Sequence, residues 1–313
     1  MELSGGRMMR DRFKISLFPF CALVFGIFAL MIAVYLIASL PVLQKEGVQI
    51  YTSNEWRAVE DNPEREFYGV LAAIYGSLYT SILAVLIALP LSISFAVFVI
   101  DYAPRKLKEP LIVATDVMAG LPTIIYGIWG AFVLVPLLRD YVMLPLYRHL
   151  SFIPLFSFEP AGGYSFLAAG VLLGIMVTPF ASSIIREAYR MVPYTYREAA
   201  FSLGATRYEA TRILLGHIKP AIVAGILLAF GRAVGETVAV SLVVGNTFNI
   251  HPSLFAPGYT ISSLIANQFG NAFIYGYMVS ALFAAGLFLF VIGLVVNIGG
   301  LMVLRRYAHA QRG

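Results

Sequence analysis

Charged side chains are scarce in this chain. Asp, Glu, Lys and Arg make up 12% of the 313 residues, whereas hydrophobic residues make up 59%. A soluble globular protein carries about twice that share of charge to keep its surface solvated. The composition therefore excludes a free cytosolic enzyme and predicts a polytopic membrane protein that is embedded in the lipid bilayer.

Metal-binding and disulfide-forming residues are also scarce. A single cysteine, Cys21, excludes an intramolecular disulfide and a cysteine-based zinc site within the chain, and its apolar surroundings favour a small residue inside a membrane helix. The histidines are far apart and form no His-x-x-x-His pair, so we predict no metal site. They are His149, His217, His251 and His309.

Sequence motifs of soluble catalytic sites are missing. There is no Gly-x-x-x-x-Gly-Lys-Ser/Thr phosphate loop and no Gly-x-Ser-x-Gly elbow, so we predict no catalytic residue, no cofactor and no ATP hydrolysis by that route. The net charge of +5 is divided among short basic clusters between apolar runs. This pattern is typical of membrane topology signals and does not indicate nucleic-acid binding.

Long apolar runs are abundant, and a run of roughly 20 residues crosses a bilayer as a helix. Apolar stretches with few charged residues predict six membrane spans, and only the fifth has charges near its middle. The first is a retained helix, because its charge-free run is longer than the core of a signal peptide. Pro122 is expected to interrupt the third. The spans run from about Ser16 to Leu40, Tyr68 to Ile100, Leu111 to Leu138, Tyr164 to Ile185, Ala221 to Gly245 and Tyr275 to Leu304.

The basic residues predict the orientation of the spans. Sixteen of the 22 Lys and Arg residues fall in the amino terminus, the second and fourth inter-span segments and the carboxyl tail. The positive-inside rule places these segments, and so both termini, in the cytoplasm. We divide the chain into residues 1–67 (amino terminus, first span and outer segment), 68–304 (transmembrane core) and 305–313 (cytoplasmic tail). The acids and Trp56 of the outer segment are compatible with a solvated cap or with a contact to a partner.

The cytoplasmic loop 193–220 is too patterned for a simple connector. Pro193 suits a helix start, and Gly204 suits a helix end because it tolerates left-handed dihedral angles. Thr206 with Glu209 three residues later predicts a capping box for a second helix. A charged helical hairpin at the membrane surface suits a soluble partner, and the alternative is an ordinary amphipathic loop.

The hairpin carries a resemblance to a known family. Glu198, Ala199 and Ala200, followed after three residues by Gly204, resemble the EAA motif of ABC-importer permeases, whose loop docks on a cytoplasmic ATPase subunit. The match extends through Leu214, after which Gly216-His217 replaces the Leu-Pro of the family. The coupling residues that the resemblance implies are Glu198, Ala199, Ala200, Gly204, Ala205, Thr206 and Arg207.

Arg232 lies near the middle of the fifth predicted span, where a charge costs about 2.5–3.5 kcal/mol on insertion scales. Glu236 follows four residues later, so on a continuous helix both side chains share a face and form an ion pair. One hypothesis is a purely structural pair. The other is that Arg232 offers a planar fork to a tetrahedral oxyanion. In this second hypothesis, Glu236 either pairs with Arg232 in the resting state and releases it to the substrate, or accepts a proton from a protonated anion.

Longer motifs narrow the resemblance. The segment Gly231 to Val240, the stretch Ala119 to Gly130 and the sequence Leu203 to Arg207 resemble the PstC-type permease of phosphate-specific ABC importers. This implies an all-α polytopic fold with six transmembrane helices and a type I, MetI-like permease core in the cell membrane. It also implies a PstA-like second permease, a dimeric PstB-like ATPase and an extracytoplasmic PstS-like phosphate-binding protein. Substrate-pathway residues carry over as Arg232, Glu236 and Thr237.

Two alternatives remain at this point. In the first, the chain is an ABC permease for another oxyanion, such as phosphonate, molybdate or sulfate, because a single arginine does not distinguish these anions from phosphate. A channel or ion-coupled carrier that needs no ATPase is a different class of protein, but it leaves the Glu-Ala-Ala hairpin unexplained.

Overall fold

The protein is predominantly α-helical in the computed structural model, which describes residues 3–60 and 62–310, with side chains for 16–60, 62–303 and 305. The four basic residues of the amino terminus and most of the tail 305–313, used above for orientation, lie outside the described side chains. The α-helices in chain order are α1 Leu3–Glu46, α2 Gln49–Thr52, α3 Leu71–Val97, α4 Arg105–Gly120, α5 Thr123–Trp129, α6 Val135–Leu138, α7 Leu144–Leu150, α8 Phe166–Arg190, α9 Tyr194–Ser202, α10 Arg207–His217, α11 Lys219–Val234, α12 Val238–Ser241, α13 Ile261–Gln268 and α14 Met278–Ala310.

Short irregular elements complete the chain. Single turns of π-helix continue or join the long helices, three short 3-10 helices lie in connections, and two short strands form an antiparallel pair in the outer segment. The π turns are Phe98–Tyr102, Gly130–Leu134 and Arg139–Met143, the 3-10 helices are Pro63–Arg65, Pro154–Phe156 and Ala272–Ile274, and the strands are β1 Trp56–Arg57 and β2 Phe67–Tyr68.

Within the described part of the chain, five segments are long and apolar enough to cross a membrane, and a sixth forms only if α10 and α11, bent by 67°, are taken together. The first, second, fourth and sixth predicted spans are confirmed to within a few residues. Cys21 lies in the first of them with its side chain exposed. The five spans are Ser16–Glu46, Leu71–Tyr102, Thr123–Leu150, Phe166–Arg190 and Met278–Val303.

The boundaries predicted for the third span are wrong. Residues Leu111 to Gly120 belong to the separate helix α4, and the membrane-spanning segment begins only at Thr123. Leu121 and Pro122 between them are extended, because the proline has no amide hydrogen and restricts the residue before it. Pro122 therefore separates two helices, as expected of a helix breaker, and the spanning segment continues to Leu150.

The fifth predicted span is also not one continuous helix. Helix α11 ends at Val234, and the short helix α12 begins only at Val238. The polar side chains of Glu236 and Thr237 bond to nearby backbone groups, which competes with the helical ladder. The result is a helix break in the middle of the segment that carries Arg232.

Three pairs of packed helices form the frame of the molecule: α3 with α8, α14 with α11, and α14 with α1. Helices α3 and α8 lie against each other, where Gly170 and Gly174 allow the side chains of Leu83 and Ile87 to approach the α8 backbone. Helix α14 packs on α11 and on α1, with Tyr35 against Phe283 at a ring-centroid distance of 5.3 Å. These pairs hold α11 and its break in the centre of the structure.

The outer segment folds as a cap on the core. Strand β1 pairs with β2, and Trp56 stacks on Phe248 at 5.1 Å. Glu66 is buried, and its carboxylate accepts hydrogen bonds from the amides of Gly276 and Tyr277 at 2.9 and 2.8 Å. These bonds attach the segment to the start of α14.

Candidate functional site

Glu236 fixes the geometry of the helix break. Its Oε1 accepts a hydrogen bond from the Ala239 amide at 3.3 Å, which satisfies one of the free donors at the start of α12. Its own amide donates to the carbonyl of Ala233 at 3.3 Å, and its carbonyl accepts from Ser262 Oγ of α13 at 2.6 Å. The residue therefore joins α11, α12 and α13.

The predicted ion pair between Arg232 and Glu236 is wrong. Among the residues whose side chains the structure describes, no ion pair or hydrogen bond joins these two side chains. A contact between residues four apart needs a continuous helix. Because the helix ends at Val234, the two residues no longer share one helical face. Glu236 therefore does not pair with Arg232 in this structure.

The Arg232 side chain is exposed on this chain. Its guanidinium carbon lies 6.0 Å from the ring centroid of Phe180 on α8, a weak cation–π contact. Phe180 is a neighbour that sequence reasoning missed, since nothing in an apolar helix pattern marks one aromatic residue as lying beside a distant arginine. Among the described residues no hydrogen bond or ion pair engages the guanidinium, which leaves its donors available to a ligand.

Thr237 lies in the break with its Oγ1 3.4 Å from the Gly235 carbonyl. It is half-buried and follows Glu236 directly, so the predicted pathway residues Glu236 and Thr237 stay together. Arg232 precedes them in the chain and lies in the last turn of α11. Ser262, which donates to the Glu236 carbonyl, was not predicted because its contact depends on a loop of 26 residues folding back.

The stretch Ala119 to Gly130 has a packing role at this site. A Cβ at Gly127 would lie 3.0 Å from the Ala239 Cα, so the absence of a side chain lets α5 approach the α12 backbone. A Cβ at Gly130 would lie 2.9 Å from Leu172 of α8. Overpacking at such contacts displaces backbone. Helix α5 thus packs closely on α12, which follows the break after Arg232 in the chain.

The cytoplasmic hairpin has the structure that its sequence predicts. Helix α9 begins directly after Pro193, and Gly204 adopts a φ of +83° in the turn. The predicted capping box is confirmed: Thr206 N donates to Glu209 Oε2 at 2.8 Å, and Glu209 N donates to Thr206 Oγ1 at 3.3 Å. The hydrogen bonds from the Thr206 amide and hydroxyl lower the pKa of Glu209.

Most of the predicted coupling residues are exposed. Glu198, Ala199, Gly204, Thr206 and Arg207 lie at the surface, and Ala205 is half-buried. Ala200 is the exception, because it is buried in the hairpin and its carbonyl accepts the Ala205 amide at 3.0 Å.

Two neighbouring apolar side chains, Leu203 and Tyr208, are 88% and 71% exposed. A continuous surface of charged and apolar side chains is thus open to a partner.

The exit of the hairpin differs from the family pattern in the way the sequence suggests. Helix α10 ends at His217, and α11 begins at Lys219 with Pro220 in its first turn, where proline is tolerated. The 67° bend therefore falls at Ile218.

Comparisons with known proteins identify the chain. Residues 101–309 match the family described as the inner membrane component of binding-protein-dependent transport systems. A probable phosphate transport system permease protein PstC from Methanocaldococcus jannaschii is 61% identical over 307 residues, which are 98% of this chain and 97% of the relative. The chain belongs to the PstC permeases of this family. A phosphate transport system permease protein PstC from Xylella fastidiosa strain 9a5c is 42% identical over 96% of this chain and 94% of its own length.

Solved structures of low sequence identity share the fold of this PstC-family chain. An inward-facing form of the MetNI methionine ABC transporter matches with a TM-score of 0.54 at 16% identity, covering 76% of this chain and 95% of that chain. The likeness shows a MetI-like ABC-importer permease fold. As a multi-pass membrane component, this chain is a transport subunit and not itself an enzyme. Its family works with an ATPase and a binding protein.

Proposed function

We propose that this chain is the membrane-spanning permease subunit of an ATP-driven, binding-protein-dependent importer of inorganic phosphate. Relatives named as PstC phosphate permeases match it over nearly its whole length. The observation that carries the proposal is Arg232, an exposed arginine without an ion-pair partner among the described residues, placed in the last turn of α11 just before the helix break. A free guanidinium fork is suited to bidentate recognition of a tetrahedral oxyanion.

The exposed side of Arg232 indicates a shared passage. A charge inside a membrane faces a cavity or a partner, since contact with lipid is costly. We infer that a PstA-like second permease packs against this side and closes the translocation path, with Arg232, Glu236 and Thr237 lining this chain's half. Glu236 then orients the break and remains a candidate proton acceptor from phosphate.

The hairpin 193–220 supports the second part of the proposal. Its exposed charged and apolar side chains offer a docking surface for a dimeric PstB-like ATPase, which binds and hydrolyses ATP. A PstS-like phosphate-binding protein delivers the ligand on the opposite side, where the outer segment before Phe67 lies. The core 68–304 moves phosphate between them, while residues 1–67 supply the amino terminus, first helix and cap, and 305–313 form the tail.

This arrangement requires both termini and the hairpin to be cytoplasmic. In a Cys21→Ala background, cysteine replaces Asn54 of the outer segment in one variant and Leu203 of the hairpin in another; both positions are exposed. A membrane-impermeant maleimide is expected to label the first in intact cells and the second only after permeabilisation. The reverse labelling pattern contradicts the proposed orientation.

The transport activity is tested by reconstitution into vesicles with the candidate permease partner, ATPase and binding protein. We expect uptake of labelled phosphate that needs ATP and the ATPase, and that excess sulfate, molybdate or phosphonate fails to block. Full competition by one of these anions assigns the chain to another oxyanion importer. Uptake at the same rate without the ATPase assigns it to the channels or carriers.

A further inference from the structure

One carboxylate joins the cytoplasmic hairpin to the transmembrane helices. Asp101 lies in the π turn that ends the span of α3, and its side chain is only 11% exposed. Its Oδ1 accepts a hydrogen bond from Arg197 of α9 at 2.6 Å, and its Oδ2 accepts one from the Tyr189 hydroxyl of α8 at 2.5 Å. Both oxygens are thus engaged, each by a different helix.

The two helices of the hairpin are attached in different ways. Helix α10 packs on the ends of α3 and α8 through Leu214, which is buried together with Ile218, Ala96 and Ile185. Helix α9 buries only Ala200. In the described part of the chain, Arg197 supplies the side-chain hydrogen bond that connects α9 to the spans. Besides the short connection 191–193 to α8, Arg197 therefore gives α9 a direct side-chain link to the end of the α3 span.

The surroundings of the Asp101–Arg197 contact leave room for α9 to move and connect it to the packed helices α3 and α8. A cleft beside the pair is lined by Asp101, Tyr194, Arg197, Phe201, Arg207 and Thr211, which leaves space next to α9. On the membrane side of the contact, Asp101 lies in the π turn that continues α3 and Tyr189 lies in α8, and these two helices pack closely against each other. Partial burial strengthens the charged contact relative to a surface salt bridge.

We propose that Asp101, Tyr189 and Arg197 form a coupling joint that converts displacement of α9 into movement of the α3–α8 pair. The three are positioning residues: they touch neither the transported ligand nor ATP. The inference rests on the proposed function, because it assigns the route by which an ATPase docked on the hairpin acts on the passage. Its consequence is that loss of the joint separates ATP hydrolysis from transport without releasing the ATPase.

The experiment uses the complete reconstituted complex and measures phosphate taken up per ATP hydrolysed. Asp101→Asn and Arg197→Gln are each expected to lower this ratio about tenfold, as loss of a charged hydrogen bond predicts, with ATPase retention and binding-protein-stimulated hydrolysis kept. The ratio of the double variant is expected to be no lower than that of either single variant, because both single substitutions remove the same Asp101–Arg197 contact. Asp140→Asn is the matched control: Asp140 is an exposed carboxylate that pairs with Arg139 at 2.9 Å in the π turn Arg139–Met143, outside the hairpin and the joint, and its loss should leave the ratio unchanged.

Milder variants keep the test valid if Asp101→Asn fails to assemble. Tyr189→Phe removes one hydroxyl, and Arg197→Lys keeps the charge while losing the planar fork; both are expected to lower the ratio by a smaller factor. The proposal is overturned if assembled variants lose uptake and hydrolysis in equal proportion, if the two single effects multiply, or if the mild variants keep the wild-type ratio. Absence of ATP-dependent phosphate uptake by the wild-type complex instead refutes the proposed function.

Discussion

Substitution of Arg232 by Gln is expected to lower ATP-driven phosphate uptake by about a hundredfold, since two charge-assisted hydrogen bonds are each worth about 1.5 kcal/mol or more. Arg232 has no ion-pair partner among the described side chains, so removing its charge leaves no buried carboxylate unpaired. The fold and assembly should therefore survive. The measurement is initial uptake of labelled phosphate into vesicles with the purified complex, alongside the yield of assembled complex.

Two control variants separate the possible reasons for a loss. Arg232→Lys keeps the charge without the fork, and we expect uptake between the wild type and Arg232→Gln. Arg139→Gln removes an exposed arginine that pairs with Asp140 and should leave uptake unchanged. Unchanged uptake in Arg232→Gln would remove Arg232 from the translocation path. A loss explained by reduced assembly would return it to a structural role.

Substitution of Gly204 by Val is expected to weaken retention of the ATPase by about tenfold or more. Gly204 has a φ of +83°, a conformation that costs a β-branched residue roughly 1–3 kcal/mol. No neighbouring atom lies within 4 Å of the position of its Cβ, so the effect reports on the backbone turn and not on crowding. A distorted turn moves α9 relative to α10 and changes the surface offered to the ATPase.

Gly216→Ala is the matched control for this turn. Gly216 lies within α10 with similarly open space around it but without a positive φ. Alanine there is expected to be neutral or slightly stabilising, because it favours helix more than glycine does. The readout is the amount of ATPase that co-purifies with each permease variant. Equal retention in both variants would mean that the turn does not shape the docking surface.

Local signals account for the features that the sequence predicted well. The hairpin turn depends on residues within a few positions of one another: Gly204 for the left-handed turn, Thr206 and Glu209 for the cap. Such interactions form between residues that are close in sequence, so they can be predicted without knowing the rest of the fold. Long apolar runs likewise predicted most spans, because the bilayer demands a helix of a given length.

Boundaries inside apolar segments were harder to predict. The residues on both sides of Pro122 are largely apolar, yet one helix ends before it and another begins after it. The break after Val234 is hidden in the sequence for a similar reason, since the i, i+4 spacing of Arg232 and Glu236 is meaningful only if the helix continues. Competition from side-chain bonds to the backbone, including those of Glu236, decided that it does not.

The sequence by itself determined that this chain is a membrane permease with a structured cytoplasmic hairpin and one intramembrane arginine, since composition, spacing and local capping carry that information. Only the tertiary structure decided that Arg232 is free of Glu236, that Ser262 holds the break and that Asp101 meets Arg197. Asp101 and Arg197 are 96 residues apart, and no local pattern encodes their contact. It arises because packing of α3, α8 and α10 brings the ends of separate helices to one point.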